Sequence, residues 1–278
     1  MKINEADFSK IDVGKLAGIK PDKVVDTGLV SGQKFSQAEM AYLLKLAEEL
    51  ERRKQFGGIR KWFDPEGPFP IESCPKHKAF FDAGSTHKQR VFLAGNRVGK
   101  SVTGAYELAC HLTGIYPDWW EGKRFDKAVN CWAGGKTGQT TRDTVQKELL
   151  GSVSQPGGGM IPKDCIVNTW ARQGVAGAVD TAEIMHVSGK SSFLGFKSFD
   201  QDVQAFFGTA KDVVWLDEEC PEIVYNECLT RTMTTKGIIY ITFTPLLGIT
   251  PLITSLIQKA DFLGGSLKWL AEATPSGE

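Results

Sequence analysis

The octet "AGNRVGKS", Ala94 to Ser101, ends in glycine, lysine and serine, and so does "HVSGKS", His186 to Ser191. An ammonium beside a hydroxyl suits a phosphate chain and the hard cation that travels with it. A tripeptide alone does not make such a site. A buried strand must deliver the chain to one point, and glycines must let successive N–H groups turn inward. A helix must also start there with its positive end toward the anion. The first stretch meets all three demands. "RVFLA" reads as the strand, and Ala94, Gly95, Asn96, Arg97, Val98 and Gly99 read as the loop. "SVTGAYELACHLTG" reads as a helix with Val102, Ala105, Leu108, Ala109 and Leu112 on one face and Gly114 as its stop. Against the pattern G-x-x-x-x-G-K-[ST], Ala94 stands where the first glycine belongs, and Arg97 lies inside the loop. The second stretch meets none of the demands. "AEIMHVS" before it and "SFLGFKSF" after it are both strand-like, so it reads as a hairpin turn with Lys190 in solvent.

A phosphate loop works with a metal and with a group that orients water. "KDVVWLDEE" offers both. Val213 to Leu216 is an apolar run, and Asp217 emerges at its carboxyl end, where ligands gather in open α/β sheets. Asp217 is expected to hold Mg²⁺ through its water shell, with the Ser101 hydroxyl as a direct ligand. Glu218 follows at once and is placed to polarise an attacking water. A third run, "GIIYITFTP", ends in Thr242 and Thr244 around Phe243. Hydroxyls at that strand tip could sense a γ-phosphate, although threonine is also simply a good strand former.

The elements that must position these residues follow from hydrophobic patterning. "RVFLAG", "AVNCWAGG", "AEIMHVS", "FLGFKSF", "DVVWLDEE" and "GIIYITFT" are short apolar runs separated by helical patterns. That texture predicts an α/β fold with a mainly parallel central sheet flanked by helices. Upstream, residues 1–34 read as a polar arm. "FSQAEMAYLLKLAEELERRKQFGG" then reads as a helix with a Ser36/Glu39 capping box, stopped by Gly57 and Gly58. "WFDPEGPFPIESCP" holds four prolines and reads as a connector. Downstream, "ITPLITSLIQKADFLGG" reads as an apolar helix that closes the core or opens a linker, followed by a polar tail. The expected divisions are residues 1–74 for arm, helix and connector, 75–263 for the α/β unit, and 264–278 for the tail.

Composition narrows the partners. Lys and Arg together number 33, as do Asp and Glu, so no global basic field points to nucleic acid. Arg52, Arg53, Lys54, Arg60 and Lys61 form a local basic cluster, read as a solvated helix end and loop. The six cysteines make no C-x-x-C pair, which predicts reduced thiols in a cytosolic compartment and no zinc site. No apolar run approaches the roughly 18 residues that span a bilayer, so no membrane partner is expected.

Taken together, the deviant loop "AGNRVGKS", "YELACHLTGIYPDWWEGKRF", "FFGTAKDVVWLDEECPEIVYNECLTRTMTT" and the "TFTP" ending resemble the ATPase part of the large terminase subunit of tailed bacteriophages. The likeness runs from about Pro75 to Gly248, in the family's order. It implies a P-loop NTPase of the additional-strand, catalytic-glutamate type with ATP and Mg²⁺ as cofactors. Lys100 and Ser101 fall to phosphate and Mg²⁺, and Asp217 to Mg²⁺. Glu218 becomes the general base, and Arg97 contacts the γ-phosphate from within the chain. Thr242 to Thr244 become the motif that couples hydrolysis to DNA movement. An arginine supplied by a neighbouring subunit has Arg142, Arg172 and Arg231 as candidates.

The implied function is an ATPase motor that drives double-stranded DNA into a procapsid. Its partners would be DNA, the portal protein, the small terminase subunit and copies of itself in a ring. Its place would be the host cytoplasm, transiently at the portal. Two alternatives stand beside it: another nucleic-acid-dependent, helicase-like ATPase, and a non-catalytic terminase fragment acting in assembly. No nuclease activity is expected from this chain. The acidic residues after Thr244, namely Asp261, Glu272 and Glu278, are too few and too scattered for a two-metal site on a sheet of its own.

Overall fold

Two strands without an exposed residue, Val213–Asp217 and Ile238–Phe243, lie side by side near the middle of a seven-stranded sheet. Strands covered on both faces read as continuous apolar runs, which is why "VVWL" and "IIYI" are conspicuous in the sequence. The computed structural model describes residues 29–30, 33–34 and 58–258, except 66, 68 and 247. It divides into residues 1–53 and residues 54–278. Of the first unit, a short antiparallel ladder is described, pairing Leu29 with Lys34 and Val30 with Gln33. The expected helix from Phe35, its Ser36/Glu39 capping box, the basic residues Arg52 to Lys54 and the tail 264–278 lie outside the described residues.

In the second unit the strands in chain order are β1 (Gln89–Leu93), β2 (Asn130–Gly135), β3 (Ile166–Ala171), β4 (Val179–Met185), β5 (Ser191–Ser198), β6 (Val213–Asp217) and β7 (Ile238–Phe243). Across the sheet they run β1-β7-β6-β2-β5-β4-β3. The first five in that order are parallel, while β4 and β3 are antiparallel to their neighbours. β7 is thus inserted between the strand that leads into the phosphate loop and the strand that ends in Asp217. The antiparallel edge was only half legible. β3, "IVNTWA", is exposed along nearly its whole length and carries no apolar run, so its place in the sheet comes from pairing with β4.

Helices cover both faces. They are α1 (Pro75–Asp82), α2 (Lys100–Thr113), α4 (Glu222–Met233) and α5 (Pro251–Gln258). Between α2 and α4, α3 is one continuous run of Gly138–Thr140, a π-helical Thr141–Gln146, and Lys147–Leu150. One core holds α1 and α2 against Cys131, Ala133, Trp215 and Tyr240; the other holds α4 and α5 against Trp132, Val214, Leu216 and Ile241. In α5, Leu252 and Ile253 are buried in that second core.

Two expectations change in the structure. α2 is not one-faced: it is buried nearly all round, including Glu107 and His111. Arg90 satisfies Glu107 through both carboxylate oxygens and lies 4.7 Å over the Phe80 ring, while His111 Nε2 sits 3.2 Å from Glu107. Burial works to raise the Glu107 carboxyl, but Arg90 and His111 outweigh it and hold it below the usual range. The proline-rich stretch is also more than a connector. Phe63 is buried, edge-on to Tyr106 at 4.9 Å and to Phe81 at 5.4 Å, and Ile59 and Ile71 share its core. The packed unit therefore begins upstream of Pro75, because prolines restrict the backbone without keeping an aromatic side chain out of a core.

Candidate active site

β1 delivers the chain to Ala94, and the loop turns on two left-handed residues, Arg97 (φ 62°) and Gly99 (φ 82°). Gly99 is the residue before α2, and no side chain caps that helix end. The first N–H groups of α2 therefore face outward with the positive end of the helix dipole, as an anion site requires. Lys100 follows, largely buried, with Nζ donating to the Gly95 carbonyl at 2.6 Å. Burial lowers the Lys100 pKa, against the opposing pull of Glu218 and Asp217. On the outer side, His77 of α1 places Nε2 3.0 Å from the Val98 carbonyl and so fixes the loop from behind. Nothing in "PKHKAFF" announces that contact; it depends on α1 folding back beneath the loop.

The second half of the site converges on the same point. Ser101 Oγ donates to Asp217 Oδ2 at 2.9 Å and Oδ1 at 3.1 Å, across 116 residues of sequence. Thr242 Oγ1 donates to Asp217 Oδ1 at 2.7 Å. Burial pushes the Asp217 carboxyl up to about 6, against the hydrogen bonds from Thr242 and Ser101. A buried carboxylate and a hydroxyl in contact form the hard-oxygen donor pair that suits Mg²⁺. Ser101 and Asp217 are the residues that would hold the cation.

Glu218 stands next to this pair in a conformation that L-residues rarely adopt, φ 81°. Its N–H donates to the Thr242 carbonyl at 2.8 Å, which ties the strained peptide to β7. Its side chain is exposed. Partial burial raises its carboxyl, opposed by Lys100 and Lys136. A raised carboxylate is a better proton acceptor. Glu219 is not free in the same way, because its carboxylate accepts from Thr250 Oγ1.

The remaining residues singled out in the sequence separate clearly. Thr244 Oγ1 donates to the Ala94 carbonyl at 2.9 Å and meets Asn96 Oδ1 at 3.0 Å, so it braces the loop. The Arg97 and Val98 side chains are exposed. Arg142 donates to the Ala176 carbonyl and pairs with Asp143; Arg172 donates to Ser198 Oγ; Arg231 donates to the Gly208 carbonyl and pairs with Glu227. Lys190 is exposed on the β4–β5 hairpin, with Gly189 left-handed at φ 78°. The His186 N–H donates to the Lys190 carbonyl across that turn.

Sequence reasoning misses a further element. "GGKTGQT" after β2 contains Gly135-Lys136-Thr137, a third glycine–lysine–hydroxyl tripeptide between a strand and a helix. It is not a second cradle, because Thr137 caps its own helix by accepting from the Thr140 N–H and so fills the place an anion would take. Lys136, Thr140 and Thr144 instead line a small cleft together with Asp217 and Glu218. The strand–Gly-Lys-Thr–helix order is the available signal, and only the β2–β6 pairing shows which site it serves.

Over residues 91–267 the sequence matches the family described as terminase large subunit, T4likevirus-type, N-terminal. The large terminase subunit of Salmonella phage P22 is 34% identical over 245 residues, covering 81% of this chain and 47% of that protein. The chain thus spans about half the length of that curated relative. Two solved structures of the large terminase from a thermophilic bacteriophage also align. One covers 74% of this chain and 42% of its own at 12% identity and TM-score 0.47. The other, in complex with ADP, covers 76% and 42% at 14% identity and TM-score 0.43.

Proposed function

Because the chain belongs to the phage terminase large subunit family, we propose that its second unit is a DNA-packaging ATPase built on the Ser101–Asp217 pair. The observation that carries this reading is the meeting of two distant motifs. The serine after Lys100 lies 2.9 Å from the carboxylate that precedes Glu218. Lys100 and the open N–H groups of α2 would bind the β- and γ-phosphates of ATP. Mg²⁺ held at Ser101 and Asp217 would neutralise charge on the phosphate oxygens. Glu218 would accept the proton of a water whose oxygen attacks the γ-phosphorus in line. The bond to the bridging oxygen breaks, and ADP and inorganic phosphate leave. Arg97, exposed on the loop, would reach the γ-phosphate. Thr242 and Thr244 would link that event to movement of the bound polymer, since one touches Asp217 and the other the loop itself.

The partners on this reading are double-stranded DNA, the portal, the small terminase subunit and other copies in a ring in the host cytoplasm. DNA cutting is assigned to none of the described residues; incubation with supercoiled plasmid and Mn²⁺ tests that assignment. The central test is a pair of variants in an ATPase and nucleotide-binding assay. Lys100→Ala is expected to abolish turnover, because it removes a charge from the phosphates. Lys190→Ala, on the exposed hairpin, is expected to behave as wild type. The reverse pattern would place the site at the other Gly-Lys-Ser. Turnover stimulated by duplex DNA without strand separation distinguishes packaging from a helicase-like activity. Absence of turnover under every condition would leave an assembly role.

A further inference from the structure

We propose that Trp215 is a positioning residue for the metal-binding carboxylate: its indole N–H obliges the Thr242 hydroxyl to donate to Asp217. This rests on the reading of Ser101 and Asp217 as the Mg²⁺–nucleotide site. Trp215 Nε1 lies 2.8 Å from Thr242 Oγ1, and Thr242 Oγ1 lies 2.7 Å from Asp217 Oδ1. An indole nitrogen can only donate, so the threonine oxygen must accept there. A hydroxyl carries one proton, and the orientation that accepts from Trp215 leaves that proton for Asp217. All three side chains are buried, so no bulk water competes for these bonds. The direction of the relay is therefore fixed by atom type and does not depend on a choice of rotamer.

The relay is keyed to the helix that carries the phosphate site. Gly104, one turn into α2, faces the indole so closely that a Cβ there would come within 2.3 Å of its Cε2 and Nε1. The Tyr240 hydroxyl donates to the Gly104 carbonyl at 2.9 Å, so β6 and β7 both grip α2 at one residue. Lys100 and Ser101 lie on the same helix. Ser101 donates to Asp217 from α2, and a hydroxyl that lends a lone pair to a cation still carries its proton for that carboxylate. Among the described residues, Thr242 is the second side-chain donor to Asp217 and holds the carboxylate from the sheet side. Without the Trp215 N–H, the threonine proton is free to turn elsewhere, and the carboxylate loses its fixed aim.

The test is calorimetric titration with ADP in Mg²⁺ and in EDTA, with the ratio of the two affinities as readout. Trp215→Phe removes the donor. Replacement of Trp215 by β-(3-benzothienyl)alanine puts sulfur in place of N–H at constant shape, and keeps the test decisive if the phenylalanine variant does not fold. Both, together with Thr242→Val, are expected to lower the Mg²⁺ enhancement by about tenfold, the usual scale for outer partners of a metal ligand, with affinity in EDTA retained. Thr242→Ser keeps the hydroxyl and should keep the wild-type ratio. A wild-type ratio in the benzothienyl variant overturns the proposal, as does an equal loss in Mg²⁺ and EDTA, which would assign Trp215 to packing alone. A wild-type protein whose ADP affinity is indifferent to Mg²⁺ would overturn the site reading itself, which is a separate failure.

Discussion

Glu218 combines an exposed carboxylate with a left-handed backbone, and such strain costs on the order of 1 kcal/mol for a non-glycine residue. The fold sustains it through the bond from the Glu218 N–H to the Thr242 carbonyl. Two substitutions separate the chemical from the conformational role. Glu218→Gln should retain ATP binding and slow turnover by about 10²–10⁴-fold, the range for loss of a general base. Glu218→Gly should lose turnover as well yet gain about 1 kcal/mol in urea unfolding, because glycine relieves the positive φ. A Glu218→Gly protein less stable than wild type would mean that the side chain supports the fold. Arg97 is the other left-handed residue of the site that is not a glycine. Arg97→Ala should reduce turnover more than ADP affinity, since only the triphosphate offers γ-oxygens to a guanidinium. Equal losses would limit Arg97 to shaping the loop.

At the scale of elements, the sheet order matters more than any single strand. Inserting β7 between β1 and β6 places the Thr242–Thr244 tip between the phosphate loop and Asp217. That single arrangement explains why Thr242 reaches one and Thr244 the other. The stretch before α1 does comparable work from outside the sheet. Phe63 holds together Phe81, Tyr106 and Trp119, and Tyr106 belongs to the helix that begins at Lys100. Phe63→Ala should therefore cost about 3–5 kcal/mol, the scale for emptying a large aromatic site in a core. A flexible connector would lose almost nothing. Chemical denaturation followed by tryptophan fluorescence distinguishes the two outcomes.

For the molecule as a whole, the histidines set a pH dependence of stability. Burial lowers the pKa of His77, His111 and His186 from the ordinary 6.5. A base whose folded value is depressed binds its proton more readily in the unfolded chain. Stability from these groups is therefore complete above about pH 6.5 and is lost as pH falls below the unfolded value. Glu107, held low beside Arg90, pulls in the same direction at still lower pH. The histidine part of the urea-midpoint slope runs downward from pH 7 to pH 5, opposed by Asp217, Glu218 and Glu148, whose raised carboxyls gain stability as pH falls. His111→Gln should flatten that slope even if it lowers the midpoint at pH 7. An unchanged slope would show that His111 takes up its proton inside the fold.

The local parts of this protein were legible in its residues alone. "RVFLAGNRVGKS" followed by an apolar helix could only bring glycine-bounded N–H groups to a helix start, because strand, loop and helix are adjacent in the chain. "VVWLDEE" set an acidic pair at the end of a buried strand for the same reason. The flat alternating flanks of Lys190 likewise marked a hairpin. The remaining features arise from contacts between residues far apart in the chain. Nothing local relates Ser101 to Asp217, or Trp215 to Gly104, until parallel pairing puts β7 and β6 beside β1 and lays α2 across them. Nor does proline content reveal that Phe63 is core, since burial depends on what folds over a side chain. Edge strand β3 shows the limit most plainly: all its residues after Ile166 are exposed, so no hydrophobic period recorded its place, and only the hydrogen-bonding edge of β4 supplied one.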